Sequence, residues 1–203
     1  MQSINFQHYK IVSEFSRSEH KSSGGSVILS KNEITVSIID VSKFCREMSC
    51  EVSGAEITLN NNVKIFLFGI YRSPSYSNVN SFFTLFYQLL SNYLSYSNKQ
   101  CIIVGDLHIN WLDKNAQTNR LMDLLREFNL QQFVNSPTRV TGSSSTLIDY
   151  VLSNIKPDLL RVDVIGTGLS DHFAQIITVK VQNSPGKILS IKSRHTCYTH
   201  HSP

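Results

Sequence analysis

What most constrains this chain is a succession in its middle third. An apolar run at 63–71 (VKIFLFGIY) is followed by an amphipathic stretch at 80–96. A second apolar run, Cys101-Ile102-Ile103-Val104, then stops abruptly on Gly105-Asp106. In the first run Val63, Ile65 and Leu67 alternate and then merge into unbroken apolar sequence, the pattern of a largely buried strand. In the second, Phe82, Leu85, Phe86, Leu89, Leu90, Tyr93 and Leu94 recur at three- and four-residue spacing, which places them on one face of a helix. The four-residue run is too short for a helix and predicts a buried strand. Strand, helix and strand in close succession call for a layered α/β or α+β architecture.

The flanking sequence fills in the layers. Residues 22–26 (SSGGS) predict a loop or tight turn, and 26–29 and 34–39 predict short strands rich in β-branched residues. Residues 57–59 and 63–71 predict a hairpin across Asn60-Asn61-Asn62, because Asn tolerates the left-handed backbone of a short turn. A Pro-containing loop is expected at 73–77 and a second helix at 118–128. That helix would turn Leu121, Leu124, Leu125 and Phe128 inward and Arg120, Asp123, Arg126 and Glu127 outward. Strands follow at 147–152 and 173–181, with a loop at 165–170. Residues 1–182 read as one domain and 183–203 as a disordered tail. The tail carries His195, Cys197, His200 and His201, a set that can bind Zn²⁺ in principle, but no partner Cys pair lies nearby and the tail reading is preferred.

Composition excludes little. Nineteen basic and 15 acidic residues give a net charge of +4, which permits a polyanionic partner without requiring one. Cys45, Cys50, Cys101 and Cys197 form neither a C-x-x-C pair nor a disulfide framework. There is no apolar leader, and no stretch is long enough to span a bilayer. A soluble, intracellular, non-secreted protein is expected, with no membrane partner and no organic cofactor.

Chemistry concentrates where apolar strands stop. Gly105-Asp106-Leu107-His108-Ile109-Asn110 follows CIIV; Tyr71-Arg72-Ser73-Pro74 follows IFLFGI; Asp149-Tyr150 lies within TLIDYVLS; and Ser170-Asp171-His172 precedes FAQIITVKV. Strand ends are where α/β folds hold ligands, because the loops there are fixed by a rigid sheet. A single Asp at a strand end is more often a turn former or a helix cap. Asp149 is different: a carboxylate inside an apolar run must be hydrogen-bonded, paired or metal-bound.

Together these segments resemble the endonuclease/exonuclease/phosphatase family. GDLHIN resembles its GDFN motif and IYRSP its IYRPP segment. SPTRVTGSSSTLIDYVLSN resembles the PTR…STLID block, and LSDHFAQIITV the closing SDH motif. The order and spacing agree over 22–181, and the last two blocks are particularly similar to the endonuclease domain carried by non-LTR retrotransposons. The resemblance implies a four-layer β-sandwich flanked by helices. It also implies metal-dependent hydrolysis of DNA phosphodiesters by in-line attack of water, with Mg²⁺ or Mn²⁺ as cofactor and DNA as partner.

Carried over residue by residue, Asp106 would orient and deprotonate the water, and Asp149 would hold His172 in its protonated form. His172 and Tyr71 would donate to phosphate oxygens, and Asp171 would sit beside the metal. Arg72 and Thr138 are expected to contact substrate. His108 occupies a catalytic position where the family has Asn, and Asn110 one where retroelement members often carry Asp. The family's early Asn and its metal-binding Glu belong to a segment that would precede residue 6, and Glu14 and Glu19 do not replace it. The domain is therefore expected to be incomplete at its N-terminus and inactive by itself. The competing expectation is a non-enzymatic relic or binding module.

Overall fold

A computed structural model gives the fold and describes residues 8–18, 24–59, 62–74, 79–95, 99–180 and 188–193. Its strands are β1 (Tyr9–Phe15), β2 (Ser26–Lys31), β3 (Val36–Ile38), β4 (Glu51–Thr58) and β5 (Lys64–Tyr71), followed by helix α1 (Val79–Leu94) and β6 (Gln100–Asp106). Helix α2 (Ala116–Glu127) precedes β7 (Gln131–Gln132), β8 (Arg139–Val140), β9 (Ser145–Thr146), β10 (Asp149–Ser153), β11 (Leu160–Ile165), β12 (Ala174–Lys180) and β13 (Ile188–Ser193).

The centre is a six-stranded mixed sheet in the order β3-β4-β5-β6-β10-β7. β5 and β6 are parallel and α1 crosses between them; the other neighbours are antiparallel. The period of two divides the side chains of β5 between two cores. Phe66, Phe68 and Ile70 join Phe82, Phe86, Leu89, Leu121 and Leu125 of the helices on one face. Ile65 and Leu67 join Ile28, Leu160, Ile177 and Val179 on the other. That second face is covered by the hairpin β1-β2 and by the sheet β11-β12-β13. The architecture is the expected α/β sandwich, and the two helices among the described residues pack on the first of these faces.

Several expectations shift at their edges. β4 begins at Glu51, six residues ahead of the expected hairpin arm, because its first six residues (EVSGAE) include polar side chains and small residues that hide it. Asn62 has φ 58°, the left-handed turn residue expected there, while Asn60 and Asn61 lie outside the described residues. α2 starts at Ala116 because the Asn115 side chain accepts from the amides of Gln117 (2.9 Å) and Thr118 (3.0 Å). β1 and β11 were not expected. The stretch 183–203, read as a tail, contributes β13, the antiparallel neighbour of β12, with Leu189 buried against the second core. The alternation of Leu189 and Ile191 is the physical reason. The remainder of that stretch, including His195, Cys197, His200 and His201, lies outside the described residues, as do Ser22, Ser23 and 75–78. No helix among the described residues is long and apolar enough to cross a membrane.

Candidate functional site

The site grows out of the β6–β10 ladder. Asp106 ends β6 and Asp149 opens β10, and the two are directly paired across the antiparallel ladder. Side chains at paired positions share a face, so two carboxylates stand side by side, each only 2 % exposed. The backbone permits this because Gly105 adopts φ +143° against β5. A Cβ there would lie 1.8 Å from the Ile70 carbonyl oxygen.

His172 closes the cluster from a distant part of the chain. Its Nδ1 lies 2.9 and 3.1 Å from the two carboxylate oxygens of Asp149, and the ring is 4 % exposed. Burial disfavours the imidazolium. The hydrogen bond and charge of Asp149, with the charges of Asp106 and Asp171, outweigh it and hold the His172 pKa above its ordinary value. The ligand atoms of Asp106, Asp149 and His172 all lie within 4.8 Å of one another.

The PTR segment joins these pieces. Thr138 is fully buried, and its hydroxyl accepts from the amides of Ile148 (3.2 Å) and Asp149 (3.0 Å). Its carbonyl accepts from the amide of Phe173 (2.7 Å), and Arg139 bridges to His172. Thr138, expected at the substrate, instead ties the segment bearing Asp149 to the one bearing His172. Arg139 Nε donates to Asp171 at 2.7 Å. Partial burial pushes the Asp171 carboxyl up, but the hydrogen bond and charge of Arg139, then the charge of His172, carry it below its ordinary range. Asp171, the expected metal residue, lies outside the three-residue cluster.

The loop after β6 is held as tightly. Arg72 is 2 % exposed; its Nε donates to the Leu107 carbonyl and its Nη2 to the His108 carbonyl (2.9 Å). The Tyr150 hydroxyl donates to the Ile109 carbonyl, and the Asn110 side chain accepts from the Leu147 amide at 3.0 Å. Arg72, expected to contact substrate, thus buckles the loop, and Asn110 ties it to β10. His108 sits at φ 48°, a left-handed conformation that Asn and His adopt more readily than most residues. Its amide donates to Asp106 Oδ1 at 2.9 Å, and its ring Nδ1 lies 2.9 Å from the same oxygen. The ring stands edge-on to Tyr71 with centroids 5.6 Å apart. Burial pushes the Tyr71 hydroxyl pKa up, and the Asp106 charge adds to it.

All eight expected site residues therefore fall in one region of strand ends. Asp106, Asp149 and His172 form its centre, Tyr71 and His108 stand beside Asp106, and Thr138, Arg72 and Asp171 hold the surrounding loops. Sequence reasoning missed Arg139 and the buried pair of Arg17 and Glu51. Arg139 adjoins Thr138 in the PTR motif, a signal that was available; nothing in the spacing links Arg17 to Glu51.

A family model described as endonuclease–reverse transcriptase matches residues 65–176. A search of curated proteins finds no match. Among solved structures, the chain is similar to the endonuclease domain of TRAS1, a telomere-specific non-LTR retrotransposon. The TM-score is 0.68 at 14% identity, covering 86% of this chain and 80% of that one. It is also similar to an endonuclease/exonuclease/phosphatase family protein from Leptotrichia buccalis (TM-score 0.63, 16% identity, 89% and 74% covered). D. rerio TDP2 complexed with single-strand DNA product aligns with TM-score 0.57 at 13% identity, covering 82% and 75%.

Proposed function

Since this chain belongs to the endonuclease–reverse transcriptase family and has its nuclease-like sandwich, we propose that it cleaves phosphodiester bonds of DNA by in-line attack of water. The observation that carries the reading is the buried constellation of Asp106, Asp149 and His172. DNA as the substrate is supported by two neighbours, one the endonuclease domain of a retrotransposon and the other a protein complexed with single-strand DNA product.

The donor chemistry fits a hard divalent cation. Two buried carboxylates on paired strands supply the oxygen ligands that Mg²⁺ or Mn²⁺ prefers, and Asp171 would join them by exchanging Arg139 for the cation. A cation there would supply charge stabilisation at the phosphate. The remaining work falls to the chain's own residues. Asp106 orients the attacking water and accepts its proton. Asp149 holds Nδ1–H of His172, which fixes the ring and favours the imidazolium, a donor for a phosphate oxygen. The Tyr71 hydroxyl, kept protonated by its raised pKa, is a second donor.

The test is nicking of supercoiled plasmid by the purified chain with Mg²⁺ or Mn²⁺ and with EDTA. Nicking that needs the cation and disappears in His172→Ala supports the reading; nicking that persists in His172→Ala refutes it. One observation favours the second reading, an inactive relic. His108 brings a larger, titratable ring to within 2.9 Å of Asp106, where the resemblance expects the amide of Asn. Absence of nicking both in the chain and in His108→Asn would select that reading.

A further inference from the structure

Among the described residues, Glu51 is the most enclosed carboxylate outside the site. Its side chain is fully buried, and it accepts three hydrogen bonds: from Arg17 Nε (2.6 Å), from the amide of Gly25 (2.6 Å) and from the amide of Met48 (2.8 Å). It thereby gathers the chain after β1, the entry to β2 and the turn before β4. So complete a cradle fixes the direction of the guanidinium, whose side chain is 6 % exposed. The other wall is Gly24 at φ +115°, where a Cβ would lie 2.1 Å from Arg17 Cζ, so the guanidinium rests directly on the glycine backbone. What the cradle presents Arg17 to is Tyr71. Glu51 and Tyr71 are paired positions on β4 and β5, and Arg17 Cζ lies 5.4 Å from the Tyr71 ring centroid. The guanidinium charge works against the upward push of burial on the Tyr71 hydroxyl. On its other side Tyr71 meets the His108 ring and the field of Asp106.

We propose that Arg17 is a positioning residue for Tyr71: clamped by Glu51 and seated on Gly24, its guanidinium fixes the phenol ring and hydroxyl beside Asp106 and His108. A ring on a strand end keeps rotamer freedom unless something packs on it, and a donor misplaced by about 1 Å loses most of its effect on a transition state. A planar cation held over the ring removes that freedom, which Lys does less well. As a statement about catalysis, this rests on the nuclease reading; as a statement about Tyr71, it does not.

The test has two arms on the full chain. In the first, tyrosine rings are labelled with ¹³C and the Tyr71 signals are assigned with Tyr71→Phe. Arg17→Ala should move the Tyr71 signals and leave those of Tyr150 and Tyr93 in place, and Arg17→Lys should move them less. Because Arg17→Ala strands a buried carboxylate, the joint variant Arg17→Met with Glu51→Gln gives the same readout without a stranded charge. In the second arm, cleavage is measured in whichever of wild type and His108→Asn is faster. Arg17→Ala and Tyr71→Phe should each lower kcat about tenfold with little change in KM, Arg17→Lys should recover part of the loss, and the double variant should be no worse than either single one. Unmoved Tyr71 signals overturn the proposal, as does general movement of Tyr150 and Tyr93, or independent losses in the double variant. Moved Tyr71 signals in a chain that does not cleave, or that cleaves equally as His172→Ala, leave the brace standing and remove the nuclease reading.

Discussion

At the scale of single residues, the site works through what each side chain is prevented from doing. Thr138 fixes the Asp149 backbone amide, and the Asp149 carboxylate faces the His172 ring. In the metal-free chain this pairing has a calculable consequence. The His172 pKa is raised in the folded state, so the stabilisation by its charged form is complete below the unfolded value near 6.5 and is lost as pH rises through the higher folded value. Thermal denaturation should show Tm falling over that window. Asp149→Asn should flatten the dependence, cost roughly 1–3 kcal/mol at pH 6 and shift the His172 midpoint downward by NMR; an unchanged midpoint would contradict the pairing. His108 gives the converse prediction. Asn tolerates the same left-handed backbone and does not titrate, so His108→Asn should raise the nicking rate by roughly tenfold or more, the scale of one well-placed polar contact. An equal rate would refute the prediction, and a lower one would show that the imidazole is the better-suited side chain here.

Elements decide which surfaces are left over. In the hairpin β1-β2, Ser13, Ile28 and Ser30 turn inward, while Tyr9, Ile11, Val27 and Leu29 are exposed, with Ile11 and Leu29 facing one another across the pair. Four large apolar side chains on a two-stranded sheet make a contiguous surface prone to self-association. Sedimentation velocity of the purified chain should show concentration-dependent association. The double variant Ile11→Lys with Leu29→Glu should reduce it, since the new charges sit at cross-strand neighbours and attract each other while repelling an apolar partner. A strictly monomeric wild type would refute this.

For the whole molecule, the six-stranded sheet carries the stability and shields its thiols. Cys50 and Cys101 are fully buried, and burial pushes both pKa values far up. A thiol kept protonated and enclosed does not react until the surrounding core opens. Labelling with a thiol reagent, followed by peptide mass spectrometry, should therefore modify Cys50 and Cys101 at the same rate as global unfolding measured by circular dichroism. Labelling of Cys101 ahead of unfolding would mean that β6, which carries Asp106, opens on its own.

The central β5-α1-β6 unit was legible in the amino acids because its apolar spacing is local: period two in IFLF, period three to four in the helix, a short run in CIIV. The same holds for Asp106, Asp149 and His172, polar groups that stand after, inside and just ahead of apolar runs. Their convergence was not local. Asp106 faces Asp149 only because β10 inserts antiparallel beside β6, and His172 reaches Asp149 only because Thr138 bonds both segments. β1 and the start of β4 escaped notice because exposed, polar or small residues carry little apolar signature, and with β4 went Glu51; β11 does alternate, through Leu160, Val162 and Val164, a signal that was available. Arg17 and Glu51 lie 34 residues apart. Composition and spacing report what a residue does to its near neighbours; which distant partner fills the space beside it is settled by packing, when burying a charge forces the chain to bring its counter-charge there.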